Sequence, residues 1–146
     1  MIITLTGKNN FELQKAKQKM VTDFVAEHSG MALEQFDCSD VEPQVIYDAL
    51  TNLPFLVAKK LVVLEEPSTN KALAEKLPDW MSEVDSIDVL IVEPVVDKRT
   101  VFYKFLQTKT KMREFVPLRP YEVETWTKTY AKEKNISVSL PAIKLL

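Results

Sequence analysis

Gly7 and Lys8 directly follow an apolar stretch, the place where a phosphate-binding loop would begin or end. Such a loop needs several glycines, so that successive backbone N–H groups can face the phosphates. It also needs a lysine and a serine or threonine for phosphate and magnesium. This chain has two glycines, Gly7 and Gly30, and Lys8 is followed by Asn9 and Asn10. These residues argue against ATP binding through the usual loop. Two apolar runs carry carboxylates at their ends, 61–64 leading to Glu65 and Glu66, and 89–92 leading to Glu93. In an ATPase such acids order magnesium and water; without a phosphate loop they read as buried strands leaving for solvent through acidic residues. His28 and Cys38 are each the only residue of their type, so there is no metal-ligand cluster to assemble, and a serine or cysteine nucleophile would have to find its base in that same His28, with no motif around it. His28 reads as a surface residue at a helix end and Cys38 as a small buried or half-buried one. No catalytic residue, cofactor or metal ligand is assigned.

Two segments could bind rather than react. Lys98, Arg99, Lys104, Lys109, Lys111 and Arg113 gather within a short stretch, with Phe102, Tyr103 and Phe105 between them. Such a stretch could touch nucleic-acid phosphates with a salt-dependent strength. Val101, Phe105 and Leu106, or Phe102 and Leu106, have the helical spacing of a core face, and the lysines then form its solvated side. The second segment, Leu53-Pro54-Phe55-Leu56-Val57, joins a helix to a strand. Leu53 completes the apolar stripe of the preceding helix, and Pro54 should break it and throw Phe55 and Leu56 into the connection. A protruding aromatic–aliphatic pair can fill a partner's pocket. It can equally cover the sheet edge of its own domain, and composition leaves the two readings even.

The elements that must position these residues follow from the apolar pattern. With 46% hydrophobic and 27% charged residues over 146 positions, the chain has the balance of a soluble protein with one main core. A net charge of -2 favours a protein partner over whole-molecule attraction to nucleic acid. A lone cysteine, no basic leader and no apolar run of membrane-spanning length make the cytoplasm the expected location, with no membrane contact. Runs rich in branched residues at 2–5, 33–36, 61–64, 89–92 and 115–116 read as strands. Between them, helices are expected from Asn9, capped with the help of Glu12; from Pro43 at a first turn; over 71–83; and over 99–107. In the first, Phe11, Leu13, Ala16, Met20, Phe24 and Val25 share a side; in the second, Val45, Ile46, Ala49, Leu50 and Leu53 do. Strict alternation of strand and helix predicts an α/β fold with a mainly parallel, doubly wound sheet. After Pro120 the pattern changes to helices over 121–134 and 139–146, so a small helical unit is expected to start there. The ending suits either a truncated chain or a terminal helix that folds back.

In this order, the features resemble the delta subunit of the bacterial DNA polymerase III clamp loader. The opening Ile2-Ile3-Thr4-Leu5-Thr6-Gly7-Lys8-Asn9-Asn10-Phe11 is similar to that family's first strand, glycine turn and aromatic helix start. Residues 50–64 resemble its apolar plug, basic pair and third strand, with Leu56 where many relatives have a second aromatic and Lys59-Lys60 where arginine is common. Asp97-Lys98-Arg99 with Phe105-Leu106 is similar to the helix after its fourth strand, and Trp126 through Ala142 to the start of its lid. The resemblance implies a three-layer α/β/α domain over 1–120 with a five-stranded AAA+/RecA-like sheet and no functional phosphate loop. The beginning of a helical lid would occupy 121–146, and the rest of the lid and the carboxy-terminal collar would be absent. It further implies a non-catalytic subunit that binds the sliding clamp (beta) through Leu53, Phe55 and Leu56 and helps to open it during DNA replication. The other loader subunits would be partners, DNA would be met indirectly through the assembled loader, and the holoenzyme would be a DNA-directed DNA polymerase, a nucleotidyltransferase. Two rival classes stay open: a nucleotide-dependent ATPase with an unrecognised loop, and a direct nucleic-acid-binding module using residues 98–113.

Overall fold

The computed structural model of the protein describes residues 1–53, 58–84 and 86–117. Five strands, β1 (Ile2–Thr6), β2 (Leu33–Asp37), β3 (Lys60–Glu65), β4 (Ile87–Glu93) and β5 (Lys111–Glu114), form one sheet in the order β2-β3-β4-β1-β5. Every pairing is parallel. Four helices connect them, α1 (Asn10–His28), α2 (Pro43–Thr51), α3 (Lys71–Met81) and α4 (Val101–Lys109). The α/β architecture is the one the alternation predicts.

The strand order dictates where the helices lie. From β1 to β2 the chain moves across the sheet in one direction, and from β2 through β3 and β4 to β5 it moves in the other. Right-handed crossovers then put α1 on one face and α2, α3 and α4 on the opposite face. The two core clusters agree. Leu13 and Val21 of α1 pack with Leu5, Leu61, Val63, Leu90 and Val92, whereas residues of the other three helices pack with Val62, Leu64, Val89 and Ile91. Because β3 and β4 are covered on both faces, their apolar runs are continuous.

Helix starts match the cap residues. Asn9 Oδ1 accepts the Glu12 N–H at 3.3 Å, and Pro43 occupies the first turn of α2, where a missing N–H costs nothing. Asn70 caps α3 through the Leu73 N–H and donates from Nδ2 to the carbonyls of Cys38 and Val41, tying that helix to the end of β2. Helix α4 starts two residues later than expected. Asp97 accepts the Arg99 N–H in a turn of its own, and Thr100 becomes the cap.

Four expectations need correction. The last strand is Lys111–Glu114, not 115–116; it is an edge strand of alternating charged residues whose Met112 alone points into a core cluster. Leu53 lies beyond the end of α2 and Val45 faces outward, so the buried stripe of that helix is Ile46, Ala49 and Leu50. Phe11 is exposed, and Val21 takes a core place instead. In α4 the apolar side is Phe102, Phe105 and Leu106, with Val101 in solvent. The helices expected over 121–134 and 139–146 lie outside the described residues.

Candidate functional site

A parallel sheet of this kind binds ligands beyond the carboxyl ends of its strands, at the point where the strand order reverses. Here that point lies beside β1, and its contents are Gly7, Glu65, Glu66 and Glu93. Gly7 has φ +122°, and a Cβ on it would sit 2.1 Å from the Phe115 carbonyl oxygen. The backbone there is closed on itself: the Gly7 N–H donates to Pro94 O at 3.3 Å, the Asn9 N–H to Phe115 O at 2.9 Å, and the Phe115 N–H to Thr6 O at 2.7 Å. In the first turn of α1 the Glu12 and Leu13 N–H groups go to the side chain and carbonyl of Asn9. Donors that a phosphate loop would aim at an anion are therefore held within the protein.

Two of the three acids, Glu65 and Glu93, are committed as well. Glu65 accepts an ion-paired hydrogen bond from Lys17 of α1. Glu66 stands in solvent with left-handed backbone (φ 55°), and its N–H donates to Val92 O. Glu93, expected at a strand's exit into solvent, is instead completely buried. Its carboxylate accepts the Ser68 N–H at 2.6 Å and the Ser68 hydroxyl at 2.7 Å. Burial pushes its pKa up to about 7, against the lowering effect of the two Ser68 bonds. Burial also pushes the Cys38 thiol up to about 12, which leaves it a packing residue with no thiolate character at neutral pH. Among the described residues no group of three or more His, Cys, Asp or Glu could hold a metal ion.

At the other end of the sheet, the connection from α2 to β3 contains the apolar segment singled out in the sequence. Leu53 is 40% exposed, with Val45 of α2 similarly exposed. Phe55 and Leu56 lie outside the described residues. A cleft of about 550 Å3 opens here between α2 and the edge strand β2, lined by Phe36, Val45, Ala49, Leu53, Glu34 and Lys60. Lys60, the first residue of β3, is 2% exposed. Its ammonium donates to Ala49 O at 2.7 Å and Asn52 O at 2.9 Å and lies 3.1 Å from Glu34 Oε2. Its neighbour Lys59 pairs with Asp88, which also holds the amino terminus. Neither Lys60 nor Glu93 was identified as a buried polar residue from the sequence. The available signal was the position of each at one end of an otherwise continuous apolar strand.

The basic residues do not form one surface. Lys104 and Lys109 stand on the solvent side of α4, over the face that carries α2 and α3. On β5, Lys111 and Arg113 alternate with Met112 and are in register with Ile3 and Leu5, residues of the α1-side cluster, so they emerge on the opposite face. Arg113 lies over the Phe115 ring at 5.3 Å. Lys98 is 3.6 Å from Glu114, and Arg99 is bound through two nitrogens to Asp97, which holds that carboxyl below its usual range.

Sheet order and helix placement define a parallel α/β domain, and the backbone donors at the end of its first strand are tied up in hydrogen bonds within the protein. The model of the family described as DNA polymerase III, delta subunit matches residues 4–116, and the chain belongs to that family. Among solved structures it is similar to the Bacillus subtilis DNA clamp loader delta protein, with 20% identity and a TM-score of 0.68. That likeness covers 98% of this chain and 46% of the other, so the chain spans less than half of that relative's length. No curated protein matches the chain. Among the described residues no helix is long and apolar enough to cross a membrane.

Proposed function

We propose that this chain is the clamp-binding domain of a clamp-loader delta subunit, a non-catalytic part that engages the sliding clamp and favours its open form during DNA replication. The observation that carries this reading is the end of α2. The helix stops at Thr51, and the chain leaves it with Leu53 exposed, entering a connection that contains Phe55 and Leu56. Leu53, Phe55 and Leu56 would enter an apolar groove on the clamp. A partner opens a closed ring only by binding the open form better, so neighbouring contacts must discriminate between the two forms. Family membership supports the assignment, and the closed cradle at Gly7 fits a subunit whose ATP-dependent partners act elsewhere in the loader. In this reading the other loader subunits and, through them, DNA are its partners, and the cytoplasm is its place of work. The division of Lys104, Lys109, Lys111 and Arg113 between two faces lends less support to a direct nucleic-acid surface.

Calorimetric titration of the chain with the sliding clamp of the same organism tests the proposal, alongside a Phe55→Ala, Leu56→Ala double variant checked for folding by circular dichroism. Each apolar anchor is worth about 2 kcal/mol, so the folded double variant should lose saturable binding altogether. Absence of binding by the unsubstituted chain at roughly 50 µM clamp, an affinity scale of about -6 kcal/mol, refutes the proposal.

A further inference from the structure

Helices α3 and α4 pack side by side on one face of the sheet and leave a groove between them. Near the amino end of β1 the groove widens into a cleft of about 520 Å3 walled by Ile2, Pro78, Met81 and Phe105, with Lys104 and Lys109 of α4 at its rim. None of the residues lining this cleft is acidic. Both lysines are exposed, and neither forms an ion pair among the described residues. Their positive charge therefore stands uncompensated beside an apolar surface. Towards the carboxyl ends of the strands the groove continues as a second cleft of about 540 Å3, where Glu75 and Asp97 stand near Lys71. Pro78 and Val101 line both clefts, and Val101 is 81% exposed.

We propose that the groove between α3 and α4 is a docking site for a short acidic peptide segment that carries apolar side chains next to its carboxylates. The apolar walls take the side chains, and Lys104 and Lys109 bind the carboxylates. At the other end Lys71 and Arg99 are balanced by Glu75 and Asp97, so the acidic part of the segment belongs at the lysine end. From Val101 to Lys109 helix α4 rises about 12 Å, which an extended peptide covers with about four residues. That length is enough to present both apolar and acidic side chains. Nucleic acid fits less well, because phosphates would meet the lysines while the rings in the groove, Phe102 and Phe105, are buried and offer a base no face to stack on. Docking here is independent of the clamp-binding reading, since no residue of the α2–β3 connection takes part.

Fluorescence anisotropy of a labelled short peptide with two aspartates beside a leucine and a phenylalanine, titrated with the chain, tests the site. Saturable binding with a Kd below about 100 µM is expected. It should weaken about fivefold when asparagines replace the aspartates. Lys104→Glu with Lys109→Glu should weaken it by at least about tenfold, and so should Val101→Asp, which puts a charge into the groove at an exposed position. Lys15→Glu with Lys76→Glu makes the same change of charge at exposed residues outside the groove and should leave affinity unchanged. All the substituted side chains are exposed, so the fold should persist; circular dichroism checks it, and Val101→Asp decides alone if the lysine pair does not fold. No saturable binding, unchanged affinity in the groove variants, equal affinity for the asparagine peptide, or an equal loss in the control pair overturns the proposal. Preferential binding of a short single-stranded oligonucleotide, with the same dependence on Lys104 and Lys109, overturns it in favour of a nucleic-acid surface.

Discussion

Glu93 is a charged residue type in a fully buried place, and its two bonds from Ser68 explain how the fold tolerates it. They do not remove the cost of ionising it there, since its pKa is pushed up to about 7 from an ordinary 4.5. In the folded protein the protonated form is favoured relative to the unfolded chain. The resulting stability is fully present below about pH 4.5 and is lost as the pH rises through 7, by roughly 3 kcal/mol in all. Glu93→Gln accepts the same Ser68 N–H and carries no charge. Urea unfolding of both proteins should show the variant gaining on the wild type between pH 4.5 and 7.5 and running parallel above that range. Parallel curves throughout would mean that Glu93 is solvated in the native state. Lys60 answers the same problem differently, by giving each donor of its ammonium an acceptor.

At the scale of elements, the sequence was most legible where local chemistry and the global fold agree. The first four strands and all four helices declare themselves because their apolar runs, Asn9 and Pro43 serve both local preference and final packing. Strand β5 does not, because an edge strand gains most from its hydrogen bonds to β1 and needs only Met112 inside; Lys111 and Arg113 on its other side suppress the apolar signal. Leu53 misled for the opposite reason: its spacing continues the α2 stripe, yet the helix ends before reaching it. A side-chain contact between successive elements, such as Lys60 of β3 with Ala49 and Asn52 at the end of α2, is invisible to periodicity. Gly7 joins these levels, since the turn from β1 into α1 is pressed against the chain leaving β5. Gly7→Ala combines a left-handed φ with a Cβ placed 2.1 Å from a backbone oxygen that cannot step aside. It should cost at least about 2 kcal/mol of stability, read as a lower urea midpoint. A midpoint unchanged from wild type would show that β5 and the chain beyond it can shift away freely.

For the whole molecule, the parallel sheet creates a ligand crevice at the end of β1 by topology alone, whether or not a ligand is used. What decides its use is the supply of free donors and cations there. The N–H groups of Gly7, Asn9, Glu12 and Leu13 all donate within the protein, and Lys17 is paired with Glu65 across the same end of the sheet. A nucleotide that used these backbone donors would first have to break the bonds they already make, so its net affinity should be negligible. A ligand present at a hundred times its dissociation constant stabilises a folded protein by about 2.7 kcal/mol, enough to raise the melting temperature by several degrees. Thermal unfolding with and without millimolar ATP and magnesium should therefore give superimposable curves, while saturating clamp should shift the transition upward. A rise of several degrees with ATP alone would mean that the crevice opens in solution, and would return a nucleotide-dependent mechanism to this domain.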